Sequence, residues 1–303
     1  MRDRALISGL LAISAIVLIG FGVGLAQADD SSNWRVVQIP GATEVHAQGI
    51  NASGQVAGTY ILSDNSVHGF IRNLNGTITT VDVIASSRTH VLGINNEGQT
   101  VGDSGNLGFI RNADGTVITI TYPPGAQATG ISGINDLGEI VGTGGTFTSH
   151  SFMRKADGTF VTLVGPKGIF PIPAGINNSD QIVGQYFDLP GTGIEHGFLM
   201  GSDGSFTTID VPGAVYTGAT GINNLGQIVG FYGFHPASNP GLEQNRGFIR
   251  DSDGTITTFD APYLGSTQPN GISDTGTIAA IFSHKPENEP PNIGLVRKCL
   301  LCP

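Results

Sequence analysis

The chain has 303 residues, 46 of them glycine, with 13% charged residues and a net charge of −10. So acidic a chain excludes a surface built for nucleic acid or anionic lipid, and so much glycine suits short strands and tight turns better than helices. The length alone allows two domains, but all-β folds commonly carry it as one.

Residues 1–28 read as an export signal. Arg2 and Arg4 form a basic end, an uncharged apolar run follows, and Ala26, Gln27 and Ala28 offer small residues for cleavage after Ala28. This predicts a secreted or periplasmic protein. The apolar run is also long enough to cross a bilayer, which leaves an N-terminal membrane anchor as the alternative. No later segment has the length or apolarity of a second span.

The remainder is one sentence rewritten. A Gly-Ile-Asn or Gly-Ile-Ser signature begins at Gly49, Gly93, Gly133, Gly175, Gly221 and Gly271. Each copy repeats four short apolar segments. The first ends in G-I-N, and a turn of the type N-N-x-G leads to Q-I-V-G-x-Y. A variable loop then leads to H-G-F-I-R, and an Asp-Gly or Asn-Gly turn leads to T-I-T-T-x-D. Glycine after Asp or Asn accepts the positive φ of a hairpin turn, so each copy is an antiparallel meander of four strands. Six such units predict an all-β chain, a six-bladed β-propeller spanning residues 29–298, with residues 299–303 as a tail. The last copy lacks a fourth strand, and residues 33–40 supply a spare one, so the N-terminal strand is expected to close the last blade. The recurring glycines fall on the first, innermost strand, where missing side chains allow backbones to approach.

These residues carry a resemblance. The string G-I-N-N-x-G-Q-I-V-G-x-Y, then H-G-F, then D-G-T-x-T-x-x-D-x-P-G-A, resembles the HAF family of extracellular repeats. The family is named for a His-Ala-Phe triplet that stands here as His68-Gly69-Phe70 and His196-Gly197-Phe198. The resemblance covers the chain after the signal and implies a bacterial exported protein of no established activity. The copies depart from it at Leu107, Arg246 and Ile293, which stand in place of the His.

His68, His150 and His196 share one repeat position, so they belong to different blades and are expected to bond within their own blade rather than converge on a metal. Asp251 to Gly254 has the start of a calcium loop without its remaining ligands and reads as a turn. Tyr60, Tyr186, Tyr232 and Phe282 close second strands and are expected in the core. Cys299 and Cys302 are too few for a closed zinc site, and a disulfide between them would close a very short loop. The strings G-x-S-x-G, H-E-x-x-H and the Walker loop are absent from the sequence, so no catalytic residue, metal or cofactor is assigned.

In a meander the loops between second and third strands and the blade-to-blade connections emerge on one face. Those are the segments in which the copies differ, so that variable face is the candidate binding surface. Its candidate residues are Phe234 and His235 in the longest loop, Phe187 and Asp188 in the fourth copy, and Glu44, His46, Arg88, His90 and Tyr216 before inner strands. His46 and His90 both stand three residues before their signature glycine and are expected near the channel mouth. The leading expectation is a monomeric, non-enzymatic module binding a glycan, peptide or protein. The alternatives are a polysaccharide hydrolase or lyase with its site at the channel mouth, or a purely structural repeat of envelope or matrix.

Overall fold

A computed structural model describes residues 33–83, 88–123, 128–145, 150–188, 194–234, 244–261, 265–283 and 292–297. Residues 1–28, read above as an export signal, His235 and the two cysteines lie outside the described residues.

The described chain forms six four-stranded antiparallel sheets. The first blade is β2 (Ala42–Ile50), β3 (Val56–Leu62), β4 (Val67–Arg72) and β5 (Ile78–Val81). The second is β6 (Thr89–Ile94), β7 (Thr100–Ser104), β8 (Leu107–Arg111) and β9 (Val117–Ile120). The third is β10 (Ala128–Ile134), β11 (Ile140–Gly145), β12 (His150–Arg154) and β13 (Phe160–Thr162). The fourth is β14 (Ile172–Ile176), β15 (Ile182–Phe187), β16 (Glu195–Met200) and β17 (Phe206–Ile209). The fifth is β18 (Tyr216–Ile222), β19 (Ile228–Phe234), β20 (Gln244–Arg250) and β21 (Ile256–Phe259). The sixth is β22 (Ser266–Ile272), β23 (Ile278–Ser283) and β24 (Asn292–Arg297), completed by β1 (Trp34–Val36).

The expected closure is therefore present. Trp34, Arg35 and Val36 pair with Arg297, Val296 and Leu295, and Val37 N–H donates to the Gly294 carbonyl at 2.8 Å. With β1 in place, the outer edge of β24 is paired and not open for another chain.

The repeated phrase has a packing reason at each letter. The Phe of H-G-F is fully buried in five blades, as Phe70, Phe109, Phe152, Phe198 and Phe248, with Leu295 in the sixth. Each such side chain contributes roughly 1.5–3 kcal/mol of burial, so this layer outweighs any polar contact described below. The Phe248 ring lies where a side chain on Gly230 would stand, 2.6 Å from an added Cβ, and the Gly218 carbonyl lies closer still. The glycine of Q-I-V-G is thus the space into which the phenyl ring fits. Tyr60, Tyr186, Tyr232 and Phe282 are buried, as expected.

Every inner strand carries a bulge just before its signature glycine, between Ala47 and Gly49 and at the equivalent rung of the other five blades. The extra residue places Gln48, Leu92, Ser132, Ala174, Thr220 and Asn270 around the axis. Below them the glycines crowd one another. A Cβ on Gly221 would stand 3.1 Å from Gly271 Cα, and one on Gly271 would stand 3.1 Å from Gly49 Cα. The bulge is a feature that the alternation of apolar residues does not reveal.

Candidate functional site

The two faces of the propeller differ in kind. On the face bearing the short turns, the first Asn of N-N-x-G folds its own turn and holds the next blade. Asn95 Oδ1 accepts the Gln99 N–H at 2.9 Å, while its Nδ2 donates to the Asn135 carbonyl at 2.9 Å. Asn51, Asn135, Asn177 and Asn223 do the same, the last reaching the Ser273 carbonyl.

The second position of the motif forms a ring about the axis. The N–H groups of Ala52, Asn96, Asp136, Asn178 and Asn224 each donate to the Oδ1 of the next blade's residue, from Asn96 round to Asp274, at 2.8–2.9 Å. Because each Asn Oδ1 is fixed as an acceptor, its amide NH₂ must turn inward. Asn96, Asn178 and Asn224 donate to Asp136 Oδ2 at 3.0, 2.9 and 3.1 Å. Asn96 and Asn224 also donate to Asp274 Oδ2. Burial would raise the Asp136 carboxyl, but the Asn96 N–H and the three side-chain amides outweigh it and hold the group below the usual carboxylate range. Two carboxylates surrounded by inward N–H donors are already compensated, so the ring is a clasp and not a cation cradle. Sequence reasoning took N-N-x-G for a turn alone; the recurrence of Asn or Asp at the second position in five of six copies was the available signal.

The axis itself is nearly filled. The cavity inside this ring is about 50 Å³, and the one between the bulged residues and the glycines is about 70 Å³. Such spaces hold water, not a sugar ring or a peptide side chain.

On the variable face the H-G-F histidines bond within their own blades, as expected. His68 Nδ1 lies 3.0 Å from Asp82 Oδ1, and His196 Nδ1 lies 2.8 Å from Asp210 Oδ1. Each ring also stacks on the tyrosine of its second strand, at centroid separations of 5.3 Å. In the fifth blade Arg246 replaces the His and still reaches the matching Asp260, Nε to Oδ2 at 3.1 Å. The pair ties the third strand to the end of the outermost one. Burial lowers the His196 pKa, but its partners Asp210 and Asp188 outweigh that and raise it overall.

The sequence candidates fall into separate groups. Glu44 accepts from Asn292 Nδ2 at 2.7 Å and lies 3.2 Å from His46 Nε2, at the seam between the last and first blades. A groove of about 580 Å³ runs along that seam past Val36, Ile39, Glu44, Arg72, Ile78 and Asn292. His90 Nδ1 lies 3.0 Å from Asp103 Oδ2, so His46 and His90 each pair with a carboxylate of their own blade. The Asp103 hydrogen bond raises the His90 pKa against the effect of burial; the Asp103 charge adds to the rise and the Arg88 charge opposes it. Asp103 also borders a recess of about 230 Å³ lined largely by Gly105, Gly130, Gly144 and Gly145. Arg88 is exposed.

Phe234 is partly buried, with the Arg246 guanidinium 3.8 Å above its ring, so one face of that aromatic is already covered. Asp188 pairs with His196 Nε2 at 3.3 Å, and Tyr216 donates to Asn245 Oδ1 at 2.5 Å. Phe187 is 45% exposed.

Phe187 belongs to a larger group. Val164, Phe170, Ile172, Ile194 and Val215 are exposed as well, and with Phe187 they lie at strand ends and connections of the variable face in the third to fifth blades. Ile172 pairs with Gln185, so the register carries Phe170 toward Phe187. The Asp188 N–H donates to the Ile194 carbonyl at 3.1 Å, which sets Ile194 opposite Asp188, one rung beyond the Phe187–Glu195 pair. Glu195, paired with Phe187 across the ladder, has a buried Oε1 with no hydrogen-bond partner, and burial raises its carboxyl pKa. The sequence marked Phe187 but not its apolar neighbours, because exposure depends on what the adjoining blade leaves uncovered.

No family model matches the chain, and no curated protein does. Among solved structures the chain is similar to a streptogramin B lyase, with a TM-score of 0.50 and 13% identity over 90% of this chain and 100% of that one. It is also similar to a catalytically inactive variant of virginiamycin B lyase from Staphylococcus aureus with quinupristin. There the TM-score is 0.50 and the identity 16%, over 88% of this chain and 99% of that one. At such identities the likeness is one of fold.

Proposed function

We propose that this is an exported propeller that binds a peptide segment of another protein across the third to fifth blades of its variable face, without catalysis. One observation carries the reading: among the described residues, the large apolar side chains left exposed at the strand ends and connections of that face are gathered between residues 164 and 215. Elsewhere on the face the side chains singled out from sequence are polar and mostly paired within their blades. Exposed apolar side chains grouped in neighbouring blades and rimmed by polar ones are the surface character of a protein-binding site, and they suit a peptide better than a glycan. Export follows from the segment at residues 1–28 and accords with the resemblance to extracellular repeats.

The test is to probe arrays of peptides and glycans with the chain from residue 29 onward, then to measure any hit in solution. Phe187→Ala should weaken a peptide hit about tenfold, an effect of roughly 1.4 kcal/mol. Leu137→Ser, at an exposed leucine of the turn face, should leave it unchanged. Equal losses, or glycan hits indifferent to Phe187, would reject the reading.

A second reading rests on His90. An imidazole oriented by a carboxylate beside a glycine-lined recess is an arrangement that can take a proton from a substrate, as a lyase requires. Elimination assays on polysaccharides and on quinupristin, with His90→Ala as control, decide it. Turnover lost in that variant would replace the binding reading with this one.

A further inference from the structure

We infer that Glu195 is the anchor for a lysine or arginine side chain of the peptide that lies across the fourth and fifth blades. This rests on the binding reading above and names the chemistry of its central contact.

The carboxylate sits in a notch built by an absence. Gly218, on the inner strand of the fifth blade, has no side chain, and a Cβ there would stand 2.9 Å from Glu195 Oε1 and 2.7 Å from the Phe231 ring. The Phe231 and Tyr216 rings meet edge to face, with centroids 6.2 Å apart. Phe187, exposed, is the partner of Glu195 across the ladder, so an apolar side chain stands beside the carboxylate. A long side chain with an apolar stem and a cationic head fits such a place.

Among the described residues, the neighbouring cations are already engaged. Arg246 is held by Asp260, and His196 by Asp210 and Asp188. The adjoining loop, residues 189–193, reads Leu-Pro-Gly-Thr-Gly and brings no positive charge. The repeat provides its own comparison. At the same position the fifth and sixth blades carry Asn245 and Asn292, neutral amides bonded to Tyr216 and Glu44. A carboxylate here costs the fold stability, because its buried oxygen has no partner, and the burial that raises its pKa reflects the same cost; a cation from a bound peptide offsets it. The chain's net charge of −10 favours a cationic partner as well.

The experiment uses the chain from residue 29 onward and an array of short peptides that place one lysine at varied offsets from Phe or Leu. Each peptide is printed beside its Nε-acetyl-lysine twin, which keeps the stem and loses the charge. The best binder is then measured in solution against wild type, Glu195→Gln and Phe187→Ala. Acetylation and Glu195→Gln should each weaken binding about tenfold or more. Glu195→Gln should melt no lower than wild type, which shows that the loss is not one of folding. If acetylated and free lysine bind alike, or Glu195→Gln binds like wild type, the assignment of Glu195 is wrong, while a loss in Phe187→Ala keeps the apolar site. If no lysine peptide binds, the reading of the face fails with it.

Discussion

Lys155 stands at a turn position that other blades fill with Asn73, Asn112 and Asp251, and the reason is Glu139. Where those blades join two turns by a Gln side chain donating to Asn or Asp, at 2.8–2.9 Å, the third blade uses an ion pair of 3.1 Å from Lys155 to Glu139. Both members of the contact changed together. Lys155→Met should therefore cost about 1–3 kcal/mol in denaturant melts, because the buried Glu139 loses its counter-charge. The double variant Glu139→Gln with Lys155→Asn should recover part of that loss by restoring the amide contact, while Asp180 still lacks its 2.8 Å ion pair with Lys155; a strictly additive double variant would refute the coupling. Ala52 is the opposite case. It leaves the axial ring without a side chain in the first blade, so Asp274 N–H finds no acceptor of the kind used elsewhere. Ala52→Asn should add about 0.5–1.5 kcal/mol of stability. Asp136 makes the ring sensitive to acid. Its pKa in the fold lies below the unfolded value, so its contribution is present above about pH 4 and fades as pH falls through the folded pKa. Asp136→Asn should be less stable than wild type at pH 7, with the difference narrowing below about pH 4. A gap that stays constant across that range would show that the carboxylate contributes nothing.

At the scale of the strand, the closing contact is short and the most consequential. β1 has three residues, yet Trp34 packs 6.0 Å from the Phe259 ring, and Arg297 lies between the two aromatics at 5.7 and 4.8 Å. Deleting residues 33–38 should expose the outer edge of β24 and give oligomers by size-exclusion chromatography, whereas Trp34→Ala should stay monomeric and lose about 1–3 kcal/mol. A monomeric deletion variant with wild-type stability would mean that closure is dispensable. The strands, their order and this closure were legible in the sequence because each depends on local alternation, on Asp-Gly and Asn-Gly turns, and on counting copies. The inner bulges and the axial ring were not, because they depend on contacts between residues 40 to 50 positions apart that share only a place in the repeat. The candidate site was legible in part. Phe187 and Asp188 can be placed on the variable face from loop length, but Arg246 covers Phe234, which the sequence alone leaves free, and Glu195 stands at a strand start that the repeat pattern treats as ordinary.

Taken whole, the propeller is held by its six layers of buried phenylalanine and aliphatic side chains, while the polar contacts choose how those layers meet. The histidine and arginine pairs on the rim are partly exposed and are worth at most about 1 kcal/mol each, so the variable face can change its polar residues without unfolding the ring. The geometry of the ends adds one more consequence. Trp34 and Arg297 are paired rung to rung at the turn face, so the described chain enters and leaves on the side away from the loops. If the leader stays in the bilayer, or if either end is joined to a larger body, the tether attaches behind the disc. The patch around Phe187 then points outward into the surroundings, like a dish mounted on its stalk.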